Sequence, residues 1–225
     1  MILPCYDPAT WGPSIDEAVN AVARGDVIVL PTDTVYGVGA DAFKPDAVAA
    51  VLAAKGRGRQ MPPPVLVPGV STVAGLARDV PDSARALMQA FWPGAFTVIL
   101  KSQPSLAWDL GDTFGTVALR VPDHAAARAL LARTGPLAVT SANLTGQPAT
   151  TTAEAAQEQL GAAVAVYLDA GPSPLGVAST IVDATSPAGL RIVRAGGVTR
   201  EEIVEVVGED AMAPEDADAK DEAGR

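Results

Sequence analysis

Short continuous apolar runs alternate along this chain with segments whose apolar residues recur at helical spacing. Residues 14–24 (SIDEAVNAVAR) read as a helix, with Ser14 as N-cap, Glu17 three residues on and Gly25 closing it. Residues 26–31 (DVIVLP) form a strand too uniformly apolar to have a wet face. Residues 45–55 predict a second helix, opened by Pro45 and ended by Lys55. A prolyl turn then leads into a strand at 62–67, helices at 71–77 and 81–91, and a strand at 95–101. The second half repeats the theme: strand 115–122, helix 123–133, strand 136–143 ending in a polar turn, and helix 151–161 capped by Thr151 or Thr152. Strands at 163–171, 179–185 and 190–196 come in succession before a last helix at 199–208. Interleaving followed by successive strands predicts one α/β domain, residues 1–208, with a mixed parallel and antiparallel sheet and flanking helices. No linker or internal repeat divides it.

Composition sharpens this picture. Hydrophobic residues make up 48% and aromatics 4%, so the core is built from Ala, Val and Leu, which suits helices packed on a buried sheet. The longest apolar run, Ala47 to Ala54, is far short of the roughly 18 residues of a membrane span. The N-terminus lacks a basic start followed by an apolar stretch, so no secretory signal is expected. The single cysteine, Cys5, excludes internal disulfides and cysteine-based zinc sites. A soluble cytoplasmic protein is the expectation. Of the net charge of −10, half falls after residue 208, where seven acids oppose Lys220 and Arg225. That segment, 209–225, has no apolar periodicity and is expected to be disordered. The acidic body would repel a polyphosphate backbone, so strong nucleic-acid binding is not expected.

Against that acidic background Lys55, Arg57 and Arg59 cluster within a few residues, separated by glycines, and predict a local anion site. A solvated helix end is the ordinary alternative. Thr32, Thr34 and Tyr36 follow a buried strand, where ligands of open α/β sheets sit, although a hydroxyl-stapled turn would look the same. Gly37 and Gly39 match a relaxed dinucleotide fingerprint, but Lys44-Pro45 interrupts the helix and no acid follows at the right distance, so they read as turn residues. Thr140-Ser141-Ala142-Asn143 can turn the chain or offer hydroxyl and amide groups to phosphate oxygens. Arg120 lies within an apolar strand and needs a carboxylate, from the protein or a substrate. Arg194 sits similarly, before Gly196 and Gly197, which can leave room for a ligand. His124, the only histidine, is expected to be exposed, and neither serine–histidine nor cysteine–histidine catalysis has support. Asp41 and Asp183 could act as bases but nothing pairs them. Such a set suits positioning and electrostatic chemistry on a phosphate.

Seven stretches, in order, resemble the YrdC-like family of threonylcarbamoyl-AMP synthases: PTDTVYGVGADAF, KGRGRQMPPPVL, FWPGAFTVIL, GTVALRVPDH, PLAVTSANLTGQP, GVASTIVD and LRIVRAGG. They span about Val27 to Gly197, and the chain stops soon after, as in the short form that lacks a further C-terminal domain. The resemblance implies a twisted mixed sheet with a cationic concave face. It also implies a nucleotidyltransferase that converts L-threonine, bicarbonate and ATP to threonylcarbamoyl-AMP and pyrophosphate, with Mg²⁺ accompanying ATP. The product would feed the tRNA threonylcarbamoyl-transfer machinery, with transient contact the most that is expected. Carried over by position, Thr34, Arg120, Ser179 and the backbone of Val139 hold threonine. Lys55, Arg57, Thr116, Ser141, Asn143 and Arg194 line the ATP site, and Lys55, Arg57, Ser141 and Asn143 are the catalytic set. No residue is implied as a metal ligand.

The chain departs from the family pattern at Gly58, at Leu66 (where longer relatives carry a threonine-binding histidine), at Ala149 and at Ala178. These fall more on the threonine pocket than on the phosphate pocket. Two other readings stand beside the synthase: a paralogue of the same fold binding nucleotide or RNA without this product, and a carbamoyl-transfer module of the hydrogenase-maturation kind. The single cysteine disfavours the latter, whose larger members need zinc-binding cysteines.

Overall fold

The structure, a computed structural model, describes residues 1–214. The order begins with strand β1 (Ile2–Pro4), helix α1 (Gly12–Arg24), strands β2 (Ile28–Leu30) and β3 (Gly37–Asp41), and helix α2 (Pro45–Ala54). Then come β4 (Val65–Leu66), the short α3 (Val73–Leu76), β5 (Ala77–Arg78), α4 (Asp82–Phe91) and β6 (Phe96–Ser102). The second half comprises β7 (Thr116–Arg120), α5 (Ala125–Thr134), β8 (Leu137–Ser141), α6 (Ala153–Leu160), β9 (Val166–Asp169), β10 (Thr180–Asp183), β11 (Arg191–Arg194) and α7 (Arg200–Val207). All strands join one sheet in the order β1-β9-β2-β3-β8-β4-β7-β6-β10-β11, with β5 paired to the end of β6. Parallel pairs (β1/β9, β2/β9, β4/β7, β6/β10) mix with antiparallel ones, giving the expected mixed α/β domain.

Side-chain alternation sends the residues of each strand to two different layers. On one face Phe96, Val98 and Leu100 of β6 and Val117 and Leu119 of β7 pack with Leu87 and Met88 of α4 and Ile203 of α7. The same face continues over β2 and β3, where Val29 and Val38 meet α2 and α6. On the opposite face α1 and α5 cover only the β9–β2–β8 end, through Ile15, Ala18, Leu130 and Leu131 against Ile28, Leu30 and Leu168. The remaining half of that face, which carries Thr97, Ile99, Thr116, Ala118 and Arg120, has no helix over it and forms the wall of a cavity.

Several local expectations need correction. Helix α1 starts before Ser14, because Pro13 fits a first turn whose N–H groups lack partners anyway; Ser14 instead donates its hydroxyl to the Pro4 carbonyl at 2.7 Å. Gly37 and Gly39 are not turn residues but lie in β3, between β2 and β8. A Cβ at Gly39 would stand 2.6 Å from Val139 Cγ2 and 2.7 Å from the Ala138 carbonyl oxygen. Gly196 and Gly197 leave room for backbone rather than ligand: a Cβ at Gly196 would meet the Ala178 carbonyl oxygen at 2.3 Å, and Gly197 N–H donates to that carbonyl at 3.0 Å. The folded body also runs past residue 208. Glu209–Ala211 form a single 3-10 turn, Leu190 exchanges backbone hydrogen bonds with Ala211 and Ala213, and Glu209 pairs with Arg200. The disorder expected for 215–225 lies outside the described residues.

Gly39→Ala is expected to destabilise the domain by about 1–3 kcal/mol, the usual range for overpacking against a backbone that cannot retreat. A lowered urea midpoint with an unchanged slope is the expected readout.

Candidate functional site

The site is assembled from the end of α2. Lys55 caps that helix and Gly56 adopts φ 63°, while Gly56 N–H and Arg57 N–H donate to the carbonyls of Ala53 and Leu52 in a Schellman arrangement. This reversal buries Lys55 (2% exposed) and carries Arg57 to the cavity wall. The Lys55 ammonium donates to the Ser141 carbonyl, to the Asn143 carbonyl at 2.5 Å and to Asn143 Oδ1 at 3.4 Å. Its own carbonyl accepts from Thr145 N–H at 3.0 Å. Lys55 therefore ties α2 to the turn after β8 through both ends of the residue. Burial and the nearby Arg57 guanidinium push its pKa down to about 8.

The cavity has a volume of about 400 Å³. Of the expected site residues, Arg57, Thr116, Ser141 and Arg194 line it, as do Thr34, Arg120, Val139 and Ser179. Lys55 and Asn143 do not: they stand behind the wall, and the Asn143 amide is spent on the carbonyls of Leu144 and Gln147. In this structure the two residues shape the turn that presents Ser141. Val139 N–H is likewise donated, to Pro64 O at 2.8 Å.

Arg57 reaches the cavity from the loop after α2 and Arg194 from the end of β11. Arg57 Nη1 donates to Thr140 Oγ1 at 3.1 Å, and its buried Nε has no partner. Arg194 Nε and Nη2 both reach the Ser179 carbonyl (3.1 and 2.8 Å), and Nη2 also reaches Ser179 Oγ at 3.1 Å. Thr97, in turn, holds that hydroxyl at 2.8 Å. Burial depresses both guanidinium pKa values, and Arg57 adds to the effect at Arg194. Neither these two nor Lys55 makes an ion pair among the described residues.

Arg120 is different. Its Nη2 pairs with Asp33 Oδ1 at 2.6 Å, Nε donates to Gly94 O at 2.9 Å and Nη1 to Thr34 Oγ1 at 2.8 Å. Thr32 donates its hydroxyl to Val35 O at 2.6 Å, so the 2.9 Å contact between Thr34 and Thr32 hydroxyls runs from Thr34 to Thr32. Sequence reasoning left the partner of Arg120 open; within the protein it is Asp33. Thr97 was missed as well, although its polar side chain breaking the apolar run of β6 was a visible signal. Arg59, grouped with the cationic cluster, leaves it to pair with Asp109 and Asp112. His124 is half-buried rather than exposed: its Nδ1 is buried without a partner, and burial pushes its pKa down.

These features define an α/β protein whose uncovered half-face carries a cationic, hydroxyl-lined cavity. Residues 20–196 match the Sua5/YciO/YrdC family profile, described as "Telomere recombination", and the chain belongs to that family. A Mycobacterium tuberculosis relative, provisionally named a threonylcarbamoyl-AMP synthase, is 54% identical over 209 residues, 93% of this chain and 96% of that one. The Bacillus subtilis threonylcarbamoyl-AMP synthase is 39% identical over 89% of this chain, which spans 58% of that longer protein. The structure of Pyrococcus abyssi Sua5 complexed with L-threonine superposes with a TM-score of 0.89 at 30% identity, covering 95% of this chain and 62% of that one.

Lys55→Met is expected to strip the Asn143 carbonyl of its ammonium donor and leave the Ser141 carbonyl only its bond from Asn143 N–H, and to cost about 2–4 kcal/mol in chemical denaturation. Folding lowers the Lys55 pKa from 10.5 to about 8, so between those values the unfolded chain binds the extra proton. Lys55 therefore makes the wild type gain stability with rising pH across that window, and Lys55→Met should remove this increment.

Proposed function

We propose that this protein is a threonylcarbamoyl-AMP synthase, converting L-threonine, bicarbonate and ATP to threonylcarbamoyl-AMP and pyrophosphate. The observation that carries the reading is the pairing, in one cavity, of cations with no carboxylate (Arg57 and Arg194, backed by Lys55) and an arginine, Arg120, held in fixed geometry. The names of the relatives and the threonine-bound neighbour support it.

In this reading the triphosphate lies at the Arg57–Arg194 end, with the hydroxyls of Thr116 and Ser141 on its oxygens. Threonine sits at the other end, its carboxylate on Arg120 and the rest against Thr34, Ser179 and the Val139 backbone. A carbamate oxygen of N-carboxythreonine attacks the α-phosphorus, the bond to the bridging oxygen breaks, and pyrophosphate leaves with that electron pair. Arg57 and Arg194 stabilise the charge developing on the leaving group. Mg²⁺ would accompany ATP, with phosphate oxygens and water among its ligands. The product would pass in the cytoplasm to the machinery that modifies tRNA. Among the described residues no helix is long and apolar enough to cross a membrane.

A second reading, nucleotide binding without this product, draws on the apolar Leu66, Ala149 and Ala178 in the cavity wall. Pyrophosphate release that requires both threonine and bicarbonate is the expected result; folded protein that releases none sinks the synthase reading. Arg57→Ala should raise the KM for ATP at least about tenfold, or about 1.4 kcal/mol, with a smaller effect on threonine. Arg120→Ala should do the reverse. Steady-state kinetics with each substrate varied in turn checks the split, and equal losses toward both would contradict the two-ended assignment.

A further inference from the structure

The two ends of the cavity differ in one charge. Among the described residues Lys55, Arg57 and Arg194 make no ion pair, whereas Arg120 shares a buried one with Asp33, itself 5% exposed. Arg120 is also electrostatically close to Arg194, as Arg194 is to Arg57. Without Asp33 the four cations would form a continuous positive field, and a polyphosphate could lie across it in more than one way.

We propose that Asp33 is the specificity-determining residue that keeps these ends apart: it neutralises and orients Arg120, so that this end accepts an amino-acid carboxylate and rejects polyphosphate. The proposal rests on the reading that threonine's carboxylate takes Arg120. A guanidinium has five N–H groups. Three of those on Arg120 are committed, to Gly94 O, Thr34 Oγ1 and Asp33 Oδ1. The two left are the number a carboxylate takes in bidentate recognition. Asp33 is fixed in turn, since Oδ1 also accepts Asp123 N–H at 3.0 Å, clamping the loop after β2 to the segment after β7. Asp33 is not part of the cavity wall, so it acts through Arg120 as a positioning residue.

The test is calorimetric titration of the full chain with L-threonine, with and without inorganic tripolyphosphate, for wild type, Asp33→Asn and Asp33→Glu. In wild type tripolyphosphate should change the threonine Kd by less than about twofold. In Asp33→Asn threonine should bind about tenfold more weakly, and tripolyphosphate should raise its apparent Kd a further fivefold or so, because the anion now occupies the Arg120 end. Asp33→Glu should restore most of the separation. A merely structural role would weaken both ligands alike and create no competition, and that result overturns the proposal. So does an Asp33→Asn variant that binds threonine like wild type. Should Asp33→Asn not fold, the wild type alone decides: threonine displaced by tripolyphosphate overturns the proposal, and simultaneous binding supports it. A wild type that binds no threonine at all overturns the functional reading and this proposal with it. An active wild type with an indifferent Asp33→Asn overturns this proposal alone.

Discussion

A buried ammonium with no carboxylate partner holds this site together. Lys55 sits at the end of α2, and its Nζ reaches across to the backbone carbonyls of Ser141 and Asn143 at the end of β8. Carbonyl dipoles satisfy its hydrogen bonds but leave its charge uncompensated, and a buried charge without a counter-ion is expensive. That expense shows in a pKa drawn down by burial. The same contact fixes where Arg57 leaves the helix and where Ser141 faces the cavity. Position and potential therefore come from one side chain, which no surface lysine could supply, because solvent would screen the charge and leave the turn loose.

The incomplete helix layer is the second requirement. α4, α7, α2 and α6 cover one face of the sheet, whereas α1 and α5 stop at β8 on the other. Beyond them, the alternating positions of β6 and β7 that would otherwise be core carry Thr97, Thr116 and Arg120, with Ser179 just before β10. Small residues at the junction keep the wall thin: Gly37 lines the cavity opposite β8, where any side chain would run into Val139. Desolvation by the surrounding strands then makes each cation act more strongly than it would in water.

Much of this was legible in the chain. The Schellman ending of α2 is written in Lys55-Gly56-Arg57, and the capping box of α7 in Thr199 and Glu202. Element order followed from the alternation of apolar runs and helical periods. What failed to show depends on distant neighbours. Gly37 and Gly39 look like turn residues because their reason, the approach of β8 a hundred residues later, leaves no local trace. Sequence lists Lys55 and Asn143 as donors without showing that both already bond within the turn after β8. The Arg120–Asp33 pair joins β7 to the loop after β2, far apart in the chain, and only the fold brings them together. The sequence pattern suggested the right chemistry; the structure sorts its residues into those that face the cavity and those that hold the facing ones.

The cavity wall also constrains where reactivity can come from. Its lining holds three arginines, hydroxyls and apolar groups, but no carboxylate, histidine, cysteine or lysine. Tyr36 is there, yet burial raises its pKa well beyond the ordinary phenol range, so it stays protonated. Cys5 lies in the core under α1, pushed up to about 12 by burial and by Asp169, which suppresses its thiolate. His124 is absent from the wall and has its basicity lowered by burial. A wall of guanidiniums and hydroxyls suits stabilisation of developing negative charge in place. In the proposed reaction the nucleophile comes on the substrate. A carbamate formed on the amino acid would do so in the proposed reaction: its attacking oxygen would arrive already ionised, and the protein would have only to hold two anions close together while keeping their charges apart.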